Sequence, residues 1–334
     1  MLDERTLVAW SFPNIPWRLN DRHSKHRNGA LASVTAPHSR TFWCTAVKAD
    51  LVEWRCKGQD GKTEWWNSGG ATSLALRRYV GEQEERWSMW LSGVSNDAAG
   101  GEVERVGLLT SADGEDWVRH HGDKVFGSVM DCNTEDWWWF DVAGVRVYNV
   151  TKLKSDLVLD DDSVHFMYYA GADRTRRRQI GLAISKDGIY WSRIEGEHHS
   201  GALWEYDSTN PIVVIDENGG YRMFFLRDET ARSAISSNGV SWVEDAGHCN
   251  GLPFPISTFA IHQESPRYMF LCQPQTSRQV QVFLAGDNEM WSKHCDVQTE
   301  VDWQQISIIP MGGNNFRIYG VGSDRQVHVV AVCV

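Results

Sequence analysis

The 334-residue chain is expected to be all-β: a five-bladed β-propeller with four antiparallel strands per blade. Three features predict it. A turn-and-tryptophan signature recurs along the chain. Two further strands of similar pattern precede each copy. The last repeat is one strand short at the C-terminus, and a strand-like segment near the N-terminus is left over to complete it. Such repeats set the fold class before any single motif does.

The signature is clearest in 181–193, GLAISKDGIYWSR, in 107–119, GLLTSADGEDWVR, and in 233–244, SAISSNGVSWVE. Residues 283–293, FLAGDNEMWSK, keep the acidic turn and Trp291 but lose the Gly before the Trp. Residues 45–55, TAVKADLVEWR, are more degenerate and carry Trp54. Asp-Gly or Asn-Gly between apolar runs signals a tight hairpin, because primed turns need positive φ. Gly114, Gly188 and Gly239 supply it. Trp117, Trp191, Trp242 and Trp291 are read as packing residues rather than ligand-stacking ones, since each would cover the strand beside it.

Upstream of each turn lies a strand rich in aromatics and Met: 85–94, 164–173, 221–228, 267–274 and 316–323. Before each of these lies another: TSLALRRY (72–79), GVRVYNV (144–150), NPIVVID (210–216), ISTFAIH (256–262) and ISIIPM (306–311). The last unit ends at VHVVAVCV without a fourth strand. LVEWRC (51–56) is expected to complete it, which joins the chain ends and leaves no open edge. Residues 1–40 then form an N-terminal extension packed on the propeller, and 41–334 a single propeller domain.

Composition agrees with an all-β chain: 29 Gly and 9 Pro are scattered among short strands, with no low-complexity linker. A net charge of −11 argues against a nucleic-acid backbone as partner. No segment approaches the ~20 apolar residues of a membrane span. The acidic start MLDERTLVAWSF lacks a signal-peptide pattern. The seven cysteines (Cys44, Cys56, Cys132, Cys249, Cys272, Cys295, Cys333) are odd in number and contain no CxxC pair. Reduced thiols in a cytoplasmic protein are expected. No phosphate-cradling Gly loop, HExxH or GxSxG occurs, so no cofactor is expected. His198 and His199, in EGEHH, lack a third ligand in range, so no metal site is expected either.

The strand MYYAG, the turn GLAISKDGIYW and the Trp-Asp-rich loops between repeats resemble the propellers of the arabinanase, invertase and levansucrase type, the furanosidase-like glycoside hydrolases, over about residues 40–334. The resemblance implies a pocket on the propeller axis, faced by the start of each innermost strand, and three carboxylates within it. Glycoside hydrolysis needs one carboxyl protonated and one ionised. The segments entering the inner strands are WWNSGG, WFDVAG, EYDSTNP, LPFPIS and VDWQQIS. They offer Trp66-Asn67, Phe140-Asp141, Tyr206-Asp207, no acid, and Asp302. Asp141 and Asp207 lead as catalytic carboxylates, with Glu205 and Asp302 as alternates for the third. Against this, each Asp can serve as a loop cap that accepts backbone N–H groups.

Trp66, Asn67, Trp139, Arg146, Trp204 and Asn210 are the expected substrate-binding residues. In EDWWWF (135–140), strand alternation would put Trp137 and Trp139 on one side and Trp138 on the other, as a sugar platform or as core. Arg146 would meet a carboxylate or hydroxyl of a ligand, or pair with Asp141 or Asp207. The basic run DRTRRRQ (173–179) reads as a solvated rim loop. The chain departs from the group in having Asn210-Pro211 where relatives carry Asp-Pro, and Asn67 in place of an acid. The expected function is glycoside hydrolysis or glycosyl transfer on a furanoside-like sugar. The alternatives are a lapsed propeller that binds a sugar or glycoside, and an enzyme of specialised metabolism using the same pocket. In each case the partner is a small-molecule or carbohydrate ligand.

Overall fold

The computed structural model describes residues 50–51, 65–81, 84–96, 101–153, 164–215, 219–245, 247–286 and 290–334. The expected extension over 1–40, and residues 52–56 with Trp54, lie outside them. The strands run in chain order as β1 (Asp50–Leu51), β2 (Ala71–Val80), β3 (Glu85–Asn96), β4 (Glu102–Ser111), β5 (Val118–His120), β6 (Gly144–Leu153), β7 (Val164–Ala172), β8 (Arg178–Ser185), β9 (Ser192–Ile194) and β10 (Thr209–Ile215). They continue as β11 (Tyr221–Arg227), β12 (Thr230–Ser236), β13 (Val243–Glu244), β14 (Thr258–His262), β15 (Tyr268–Cys272), β16 (Gln279–Ala285), β17 (Trp291–Gln298), β18 (Trp303–Gly312), β19 (Asn315–Gly322) and β20 (Val327–Cys333). Two short 3-10 turns, Val125–Gly127 and Pro274–Thr276, are the helical elements among the described residues.

Neighbours in sequence pair antiparallel, giving the runs β2-β3-β4-β5, β6-β7-β8-β9, β10-β11-β12-β13 and β14-β15-β16-β17. The first two runs touch through a parallel bridge between Glu104 and Gly144. The final sheet has the order β1-β20-β19-β18, with Asp50 opposite Val329 and Leu51 opposite His328. The N-terminal strand therefore pairs with the C-terminal one, beginning one residue earlier than its sequence suggests.

Apolar side chains alternate onto both faces of the middle strands, so each sheet packs against two others. Trp90, Val147 and Met167 fill the space between the first and second runs. Tyr168, Met223 and Phe225 fill the next, followed by Phe224, Phe259 and Met269. Phe270, Ile306 and Ile318 lie between the fourth run and the last sheet, and Leu74, Met89 and Tyr319 between the last sheet and the first run.

The turn signature forms a repeated lock. Ser111, Ser185 and Ser236 accept the N–H of Gly114, Gly188 and Gly239 at 2.9, 2.8 and 2.9 Å. The glycines sit at φ of 78°, 77° and 76°, in the left-handed region the turn requires. Each signature Trp then donates its indole N–H to the carbonyl of that Gly: Trp117 at 3.1, Trp191 at 3.0 and Trp242 at 3.2 Å. A second donor reaches the same carbonyl from the preceding sheet. Tyr319 bonds Gly114, Trp90 bonds Gly188 and Tyr168 bonds Gly239, each at 2.8 Å. The tryptophans are packing residues, as their position implies, and the turn bolts adjacent sheets together. Tyr319→Phe deletes one bolt while leaving the ring in place. We expect it to cost about 1 kcal/mol, read as a lower urea midpoint at unchanged slope.

Buried polar side chains also pin the innermost strands to one another. Gln305 on β18 accepts the Leu74 N–H at 3.0 Å and donates to the Leu74 carbonyl at 3.1 Å. Thr258 on β14 accepts the Ile306 N–H, and Asn149 on β6 accepts the Val213 N–H, both at 3.3 Å. Asn210 donates to the Phe259 carbonyl and accepts from the Thr258 hydroxyl, both at 3.0 Å. Among the described residues the cysteines are free thiols, and burial pushes those of Cys132 and Cys249 up to about 12. Among the same residues no helix is long and apolar enough to cross a membrane.

Candidate functional site

Residues at the start of β2, β6 and β18 face a cavity of about 400 Å³, together with residues of β4 and β8. Its floor is an ion cluster. Arg178 Nη2 donates to Glu104 Oε2 at 2.6 Å, and Arg146 Nε donates to Glu104 Oε1 at 3.2 Å, with Nη2 of Arg146 on the same oxygen. Burial alone would raise the Glu104 pKa, but the two guanidiniums outweigh it and hold the carboxyl below its ordinary value. Glu104 is thus a fixed anion with both oxygens engaged. It has no proton to give a leaving group and no free lone pair well placed to attack one.

Two more arginines stand at the rim. Arg176 and Arg325 are exposed, and both occupy the left-handed region at φ of 67° and 59°. For a residue with a Cβ that conformation costs on the order of 1 kcal/mol. Asp173 Oδ1 holds the first of these turns by accepting the N–H of Thr175 at 2.7 Å and of Arg177 at 3.0 Å. Arg176 Nη2 donates to the Glu102 carbonyl at 3.3 Å, and Arg325 Nη1 donates to Glu102 Oε1 at 3.2 Å. Among the described residues, four guanidiniums and two carboxylates therefore line the cavity, a net charge of +2 in a chain whose total is −11. Tyr148 joins this cavity to a second one of about 200 Å³, where β2, β6, β10, β14 and β18 contribute Ala75, Asn149, Val213, Ile261 and Ser307.

The expected carboxylates do not line these cavities. Asp141 is sealed in the second run, fully buried. Its Oδ2 accepts from Tyr169 Oη at 2.9 Å and from Arg193 Nε at 2.8 Å, while Oδ1 has no hydrogen-bond partner among the described residues. Burial pushes its pKa up against the opposing pull of Arg193 and Tyr169. Asp207 is exposed and caps the loop by accepting the Arg178 N–H at 3.1 Å. Glu205 is exposed, and its backbone carbonyl takes bonds from Arg177 and Gln179 at 2.6 and 2.8 Å. Asp302 is half-buried, its carbonyl accepts the Ser323 N–H at 2.8 Å, and its charge adds to burial in raising the Cys272 thiol.

Most expected binding residues prove to be structural. Trp66 is fully buried, with its indole N–H on the Leu91 carbonyl at 3.0 Å and its ring against the Gly107 backbone. Asn67 packs on Gly93 in the turn before β2. Trp139 covers Gly201 and joins the core. Trp204 packs on Phe225 with ring centroids 4.9 Å apart. Asn210 is the buried inter-strand pin described above. Arg146 does line the cavity, and its partner is Glu104 rather than Asp141 or Asp207.

The stretch 137–140 is a turn, so strand alternation does not apply. Trp137 and Trp138 are the ones exposed, at 65% and 50%. The cavity residues missed from sequence are Glu104, Arg178, Arg176 and Arg325. The signal for two of them was the basic run 173–179, of whose arginines Arg176 and Arg178 line the cavity. The His198 and His199 rings are tilted by 52° with centroids 4.0 Å apart, and among the described residues no three His, Cys, Asp or Glu side chains group to hold a metal ion.

No protein-family model and no curated protein matches the chain. Solved structures share its fold. A glycosyl hydrolase from Bacteroides ovatus superposes at a TM-score of 0.54 over 80% of this chain and 85% of its own, with 14% identity. A β-1,2-mannobiose phosphorylase from Listeria innocua gives 0.53 over 79% and 89%, with 10% identity. The β-xylosidase RS223 gives 0.53 over 80% and 93%, with 11% identity. The chain thus resembles the propeller glycoside hydrolases in fold as it does in sequence pattern. Identities this low speak to the fold alone, and function must be argued from the site.

Proposed function

We propose that residues 41–334 form a single five-bladed propeller, ringed by β2, β6, β10, β14 and β18 and completed by β1. We propose further that it binds a sugar or glycoside in its central cavity without hydrolysing it. The inter-sheet cores, the shared turn locks and the polar pins between inner strands all support the ring. The observation that carries the functional reading is Glu104, among the described residues the one buried carboxylate lining the cavity, held as an anion between Arg146 and Arg178. Retaining and inverting glycosidases need two carboxyl groups facing each other roughly 5–10 Å apart. Among the described residues Asp141 is sealed away, Asp207 caps a loop and Glu102 is engaged by Arg325.

Calorimetric titration with oligosaccharides, run beside a panel of aryl furanosides and pyranosides, tests this. Saccharide binding without turnover is expected. Turnover that is lost in Asp207→Asn or Glu104→Gln would overturn it.

A further inference from the structure

We propose that the saccharide this chain takes carries a carboxylate, that is, a uronate. Its sugar face rests on the Trp137–Trp138 pair and its acid group meets Arg176 and Arg325. The inference rests on the reading of the cavity as a saccharide site.

Two independent features lead to it. The first is charge. Arg146 and Arg178 are committed to Glu104, but among the described residues Arg176 reaches a backbone carbonyl, and Arg325 bonds the Gly69 carbonyl and an exposed carboxylate through one nitrogen, Nη1. Exposed pairs of that kind are worth little, so both guanidiniums are available to a ligand. Each sits in a left-handed turn that presents it to the cavity. A planar guanidinium matches a carboxylate through two parallel N–H···O bonds. Glu104 stays ionised nearby, so a dianion such as phosphate meets about twice the repulsion of a monoanion.

The second feature is the aromatic pair. Trp137 and Trp138 stand at 85° to each other with centroids 6.1 Å apart, and each leaves half or more of its surface in solvent. Among the described residues, the other tryptophans named above are spent on packing. Arg174 Cζ lies 5.8 Å from the Trp137 ring, so the pair adjoins the same turn that carries Arg176. An aromatic face beside a cationic cavity fits a molecule that is apolar on one face and anionic at one end.

The test uses the full chain, with trigalacturonate and triglucuronate set against galactotriose and a glucose trisaccharide, followed by calorimetry and tryptophan fluorescence. At least tenfold tighter binding of the acidic sugars is expected, shrinking as salt rises. Arg176→Gln/Arg325→Gln should abolish that preference, so that acidic and neutral sugars bind the variant equally. Both positions are exposed, so the variant should fold. Trp137→Ala/Trp138→Ala should weaken acidic and neutral sugars alike and remove the fluorescence response.

Equal affinity for acidic and neutral sugars would overturn the inference and leave the saccharide site standing. Binding of no saccharide would remove both readings. Tight binding of inorganic phosphate that displaces the uronate would reassign the arginines to phosphate. Aromatic variants that bind like the parent would overturn the platform.

Discussion

Replacing Arg193 with Ala is expected to destabilise the fold by about 3–5 kcal/mol, the cost of leaving a buried ion without its partner. The ion is Asp141, whose carboxylate has no exposure and is bonded to Arg193 and Tyr169. Arg193 also donates to the Asp131 carbonyl, tying β9 to the loop before β6. Burial raises the Asp141 pKa, so over the interval between its unfolded and folded values the native state holds more protons than the unfolded one. Stability attributable to this group therefore falls as pH rises through that interval. Without Arg193 the folded value moves higher still.

The deficit of Arg193→Ala should be largest at neutral to alkaline pH and smaller in mild acid, where the buried carboxyl becomes neutral. Urea unfolding of parent and variant at several pH values measures this. Arg193→Ala/Asp141→Asn should recover a good part of the loss, because it removes the stranded charge. A deficit independent of pH, or a double variant no better than the single, would mean Asp141 is not the ion concerned.

Gly107→Ala should cost about 3 kcal/mol, the upper end of ordinary overpacking. A Cβ at Gly107 would overlap the ring of Trp66, which is fully buried and held by its bond to Leu91. Gly181 stands in the same relation to Phe140 in the second run, and Gly320 to Trp303 in the last sheet. The aromatic ahead of or opening an inner strand is thus a plug packed against a glycine of its own sheet.

The third run supplies the control. Arg232 occupies the place of Gly107 and Gly181 in the aligned signature, and the loop aromatic there, Tyr206, is exposed with Arg227 Cζ 4.1 Å from its ring. Trp66→Ala should therefore cost about 3–5 kcal/mol. Tyr206→Ala should stay within about 0.5 kcal/mol, as an exposed substitution does. Equal losses at the two positions in thermal or urea unfolding would show that the glycine–aromatic pairing is not what separates them.

The same pairing shows why the sequence pointed to acids that do not line the described cavities. The repeat of aromatic followed by Asp or Asn was visible in Trp66-Asn67, Phe140-Asp141 and Tyr206-Asp207, and its regularity was genuine. Its cause is packing onto glycine, and the acid that follows is carried wherever the plugged loop leaves it. In one sheet that is a sealed interior beside Arg193, and in the next an exposed cap on Arg178. Nothing local distinguishes the two, since burial depends on whether a third strand, far off in sequence, has Gly or Arg at the position of the ring. Arg146 was legible because strand alternation fixes its side, whereas its partner Glu104 lies 42 residues away and is brought close by sheet-to-sheet contact.

By itself the sequence determined the all-β class, the strands, the tight turns with their serine and glycine geometry, and the pairing of an N-terminal strand with the last sheet. These follow from alternation and turn chemistry, which act over a few residues and repeat. Tertiary structure decided which charged groups meet in the cavity, which tryptophans remain in solvent, and that Arg176 and Arg178 of the basic run line the cavity. Those outcomes depend on contacts between sheets, where burial and partner charge are set by residues far apart in the chain.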